Sequence, residues 1–106
     1  MNTLESKKAL NFDLDDGLLK RNYPSNNYKK AWNDIRAFLV KSGFVHRQYS
    51  GYVSKGSLSM AKTIQIIKRM SSKYEWLSLS VKEFDVTIVS DEYSMKKYIH
   101  QDNDFI

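Results

Sequence analysis

Between Tyr28 and Leu39 the apolar residues Tyr28, Ala31, Trp32, Ile35, Phe38 and Leu39 fall at i, i+3, i+4, i+7, i+10 and i+11. That spacing is one stripe of a 3.6-residue repeat, and Lys29, Lys30, Asn33, Arg36 and Lys41 lie off it. A helix with one apolar face needs a layer to bury it against, and the flanking sequence supplies strands. On the N-terminal side, Lys8 to Leu14 alternates, with Leu10, Phe12 and Leu14 on one face. Asp15-Asp16-Gly17 breaks that pattern as a turn, and Asn22-Tyr23-Pro24-Ser25-Asn26 supplies turn chemistry and caps, so the helix should start close to Asn26. Gly43 ends it where a left-handed cap is expected.

Beyond Gly43, Phe44 to Tyr49 and Tyr52 to Ser54 read as two short adjoining strands or a bent hairpin around Ser50-Gly51. Ser57 then caps a second helix with Met60, Ala61, Ile64, Ile67 and Met70 facing inward. Lys73 to Ser80 is a connector holding Trp76, and Val81 to Val89 is a last strand with Phe84, Val86 and Ile88 on one face. The order strand, helix, strand, strand, helix, strand is the ferredoxin-like βαββαβ arrangement of the α+β class. It implies a four-stranded antiparallel sheet with two helices on one face. The 106 residues, with one proline and no linker-like stretch, leave room for one domain. Its core spans about residues 8–89, and residues 90–106 form a C-terminal appendage whose Tyr93, Met95, Tyr98 and Ile99 pack on the domain or on a partner.

There are no cysteines, so a disulfide framework and a thiolate zinc site are excluded. No run approaches the roughly 18 apolar residues of a membrane span and the N-terminus has no apolar signal core, so a soluble cytoplasmic protein is expected. The net charge of +5 is unevenly distributed. Gly17 to Lys73 carries 12 Lys or Arg against one acid, Asp34, a net +11, and the remainder is −6. A segment this basic either attracts phosphate backbones or simply solvates helix faces.

Asp13 is the first candidate for chemistry, because alternation turns it away from the Leu10, Phe12, Leu14 face near the end of its strand. A carboxylate there either serves as a turn or cap group or works on a phosphodiester, directly or through a divalent cation. The sheet face left without helices calls for a homodimer, in which two facing Asp13 residues can share Mg²⁺ or Mn²⁺. Asp15 and Asp16 lack the spacing of a calcium-binding loop. Lys20, Arg21, Arg47, Lys55 and Lys62 are candidate phosphate contacts around the dimer cleft. Tyr49 and Tyr52 either stack bases or pack across a dimer interface, and His46 and His100 are isolated imidazoles able to act as acid or base.

The strand ending Phe12-Asp13-Leu14, the helix carrying Tyr28, Ala31, Ile35-Arg36 and Phe38-Leu39, the Gly43-Phe44 junction, and Gln48, Ser50, Tyr52 and Val53 together resemble the virulence-associated protein D (VapD) family. Gln48-Tyr49-Ser50 is also similar to the small ferredoxin-fold protein of the CRISPR adaptation complex, a structural relative. The likeness runs from about Lys8 to Val89. It implies a homodimeric endoribonuclease that cleaves single-stranded RNA and that, in some members, is the toxin of a toxin–antitoxin pair restrained by a small antitoxin protein. It carries over Asp13 and Ser50 as functional positions, and Glu83 as the stand-in for a family aspartate. Gly51, where the family continues with an apolar residue, and Glu83 itself are departures. They keep open a non-catalytic nucleic-acid-binding or scaffold homodimer of the same fold.

Overall fold

A computed structural model describes residues 6–48, 50–89 and 95–99. Four strands, β1 (Lys7–Leu14), β2 (Phe44–Gln48), β3 (Gly51–Ser54) and β4 (Val81–Val89), form one antiparallel sheet in the order β2-β3-β1-β4. Two long helices, α2 (Lys30–Lys41) and α3 (Met60–Lys73), and two short ones, α1 (Asp16–Asn22) and α4 (Glu75–Ser80), cover one face. This is the ferredoxin-like α+β arrangement that the element order implied.

Pairing in register sorts the side chains of the sheet by face, because residues directly opposite point the same way. The row His46, Tyr52, Leu10, Val86 faces the helices, as do the pairs Phe12 with Phe84 and Leu14 with Val81. Against these pack Ala31, Ile35 and Leu39 of α2, Ile66 and Met70 of α3, and Trp76 and Leu77 of α4, all buried. Each large apolar side chain removed from water here contributes about 1.5–3 kcal/mol. Lys8 shares the helix side and is fully buried; its Nζ donates to the carbonyls of Ser6 at 2.7 Å and Leu58 at 2.6 Å. The open face carries the row Val45, Val53, Ala9, Thr87, and the pairs Asn11 with Asp85 and Asp13 with Glu83.

Gly43 closes α2 with φ of +98°, a left-handed conformation that favours glycine, as its place in the sequence required. Four local expectations need correction. Asp15 is no plain turn residue: its carboxylate accepts from the Leu18 amide at 2.9 Å and so caps α1, while its own amide donates to Ser80 O at 2.8 Å. The α2 helix begins at Lys30, after a turn in which Lys30 N donates to Asn27 O. The cap of α3 is Ser59, not Ser57, and the inward face is Thr63, Ile66, Ile67 and Met70, leaving Ala61 and Ile64 outside. Thr63 can take a core position because its hydroxyl donates to Ser59 O at 2.8 Å. The connector around Trp76 is largely helical, as the end of α3 and as α4.

In the appendage, Met95, Tyr98 and Ile99, around a 3-10 turn at Lys96–Tyr98, are exposed in the single chain. Tyr93 and His100 lie outside the described residues.

Candidate active site

Strand β1 runs out at Leu14, and the irregular pairing between Asp13 and Leu14 against β4 lets the chain turn into α1. At the same end of the sheet, β2 finishes at Gln48 and β3 begins at Gly51 beside Ser50. A cavity of about 930 Å³ opens there, lined by Asp13, Asp15, Asp16, His46, Ser50, Trp32 and Lys82, among others. Residues 33 to 37 positions apart in the chain thus line one cavity, because antiparallel pairing brings the ends of β1 and β2 to the start of β3.

Each side chain arrives for a local reason. Alternation along β1 leaves Asp13 exposed between the buried Phe12 and Leu14. His46 is half-buried on the helix side of β2, with its ring centroid 4.7 Å from that of Tyr52. Trp32 is half-buried on α2 against the core, and Lys82 follows the first residue of β4. Gly51 lies hard against its neighbours: a Cβ there would come within 3.2 Å of Gln48 O and 3.3 Å of Asn11 Oδ1. The departure from an apolar residue at this position thus goes with a close approach of β3 to β1 and to the end of β2, where a side chain would have to displace its neighbours by a few tenths of an ångström.

Of the residues expected to carry chemistry, Asp13 and Ser50 line the cavity. Glu83 pairs directly with Asp13 across β1 and β4, but is not part of the cavity lining. His46 joins the site although no sequence spacing linked it to Asp13; only the pairing of β2 with β3 and of β3 with β1 makes the link. Trp32 and Lys82 carried no sequence signal beyond their element. Among the described residues no three His, Asp or Glu side chains are arranged to hold a metal ion, and the Asp15 carboxylate is engaged in capping α1. Asp13 and Asp16 are the remaining carboxylates of the lining that could hold the Mg²⁺ or Mn²⁺ expected at Asp13.

The candidate phosphate contacts spread out. Lys20 lies over the Tyr28 ring at 5.5 Å, Arg21 lies in the last turn of α1, Arg47 is exposed on β2, and Lys55 follows β3. None of the four lines the cavity, and Lys62 lines a separate hollow on the helix layer. Tyr52 is no stacking platform or interface residue: it is buried on the helix side, with its ring centroid 6.1 Å from that of Phe12. Burial raises its hydroxyl pKa, and the nearby Arg36 charge partly offsets the rise. Tyr49 lies outside the described residues. No described helix is long and apolar enough to cross a membrane.

No family model matches the chain. Two curated proteins do. The endoribonuclease VapD of Helicobacter pylori is 34% identical over 84 residues, covering 78% of this chain and 87% of its own length. Endoribonuclease VapD 2 of Riemerella anatipestifer is 29% identical over 75 residues, covering 71% of this chain and 80% of its own.

Proposed function

The chain belongs to the VapD family, and from that premise we propose that it is an endoribonuclease that cuts single-stranded RNA in the cavity at the end of the sheet. The observation that carries the reading is the meeting of Asp13, His46 and Ser50 in one cavity. A carboxylate, an imidazole and a hydroxyl are together sufficient for phosphodiester transfer by general acid–base catalysis.

In the proposed reaction the RNA's own 2′-hydroxyl attacks phosphorus while Asp13 takes its proton. The bond from phosphorus to the 5′-oxygen breaks, and protonated His46 donates to that oxygen. The products are a 2′,3′-cyclic phosphate and a 5′-hydroxyl end. Imidazole suits the acid role because its ordinary pKa lies near neutrality. Ser50 donates to a non-bridging phosphate oxygen, Lys82 offsets its charge, and the Trp32 ring receives a base. No step is assigned to Glu83.

The end groups test this directly. Labelled RNA should yield cyclic phosphate ends at undiminished rate in excess chelator, and DNA should resist for want of the 2′-hydroxyl. Ends bearing a 5′-phosphate, with cleavage abolished by chelator and restored by Mg²⁺ or Mn²⁺, would replace this route with metal-activated water at Asp13 residues from two copies. As the toxin of a toxin–antitoxin pair, the protein should arrest growth when expressed without its antitoxin, and Asp13→Asn should relieve the arrest.

A further inference from the structure

The cavity has a charge problem that its chemistry does not solve. Three aspartates line it against one lysine, so it does not by itself attract a polyanion. Positive charge gathers elsewhere, on the outer side of the helix layer. One hollow of about 530 Å³ between α2 and α3 is lined by Lys41, Arg69 and Lys73 together with Phe38 and Tyr74. A second, of about 610 Å³, is lined by Lys62, Lys68 and the same Arg69. Ser42 and Arg69 line both, so the two hollows adjoin as one basic groove region, and among the described residues no acid lines either part. Lys73 Nζ stands 5.9 Å over the Phe38 ring and 5.6 Å over the Tyr74 ring, which fixes a cation beside two aromatic faces.

We propose that this groove is a second RNA-contacting surface, holding a single-stranded part of the substrate by its phosphates away from the cavity. The inference rests on the endoribonuclease reading and supplies the binding that the acidic cavity lacks. Binding energy from a part of the substrate that does not react is a general way to hold a poorly attracted reacting group in place. Five exposed cations along two hollows suit an extended, flexible polyanion, and Phe38 and Tyr74 add ring surface that suits bases. The two sites also share a helix. Trp32 at the cavity and Lys41 at the groove are nine residues apart on α2, about 13 Å of helix rise and about half a turn around the axis, so a strand that engages both passes around the helix.

The test is fluorescence anisotropy with a labelled 2′-O-methyl single strand of about twelve nucleotides, which binds without being cut through its 2′-position. Lys41→Gln/Arg69→Gln is compared with Lys29→Gln/Lys30→Gln, an equal loss of charge on exposed residues outside the groove. Glutamine keeps helix propensity close to that of lysine and arginine, and circular dichroism checks the fold. The groove variant should weaken binding by on the order of tenfold and reduce the log-log salt slope by about 1.4, with the control pair much less affected. Equal losses in both variants, or no loss in the groove variant, would overturn the proposal. So would loss of binding to a glutamate-rich peptide with RNA affinity intact, which would make the groove a protein-docking surface. A protein that binds this RNA through the groove yet cuts no RNA would sink the endoribonuclease reading and leave the groove standing.

Discussion

Tyr23 donates its hydroxyl to Asp34 Oδ2 at 2.5 Å, and its ring meets Trp76 edge-on at 5.1 Å. Burial, with the hydrogen bond to Asp34 and its negative charge, pushes the Tyr23 pKa up to about 12. The folded chain thus keeps a proton that the unfolded chain loses near pH 10. Stability from this contact is complete below about pH 10 and is lost as pH rises through about 12. Burial shifts Tyr74 in the same direction, with the Asp34 charge adding to it. Melting curves between pH 9 and 12 should show a falling Tm, with a shallower fall in Tyr23→Phe. Gly51→Val should destabilise by about 1–3 kcal/mol in denaturant titration, because its Cβ would crowd Gln48 O and Asn11 Oδ1. At this scale Asp13 was legible because strand alternation isolates a carboxylate between two apolar residues. His46 was not, because its partners are set by cross-strand pairing and no local motif encodes them.

Helix α3 shows how far periodicity reaches. Met60, Ala61, Ile64, Ile67 and Met70 make a plausible stripe, and so do Thr63, Ile66, Ile67 and Met70. The second faces inward, with Thr63, Ile66 and Met70 buried, because a threonine bonded to the preceding turn counts as core where a hydropathy pattern scores it polar. Ile66→Ala should therefore cost about 2–5 kcal/mol, whereas Ile64→Ala, at a position 43% exposed, should stay within about 0.5 kcal/mol. Likewise Ser59→Ala should lose about 1 kcal/mol of cap energy, and Ser57→Ala almost none. Helix α2 was legible along its length because its stripe continues over three turns and ends on a left-handed glycine. The six- and seven-residue helices α4 and α1 are too short for a repeat to declare itself. They are held by packing of Trp76, Leu77 and Leu19, and by the Asp15 cap.

For the molecule as a whole, the open sheet face is where a second copy would pair. Its row of Val45, Val53 and Ala9 is apolar, with Val45 left 41% exposed, while Asp13, Glu83 and Asp85 crowd the end nearest the cavity. A two-fold pairing through the apolar row would hide it and bring two cavities into one particle. Light scattering at micromolar concentration should give about 25 kDa, twice the 12.4 kDa of the chain, and a monomer mass throughout that range would remove the dimer. Chemistry at the cavity is tested most directly by the rate at which purified protein cuts a labelled single-stranded RNA, measured for wild type and for Asp13→Asn. The substitution keeps the shape of an exposed side chain and removes its basicity, so fold and mass should persist while the rate falls by about a hundredfold or more. An Asp13→Asn protein that cuts as fast as wild type would place the chemistry outside this cavity.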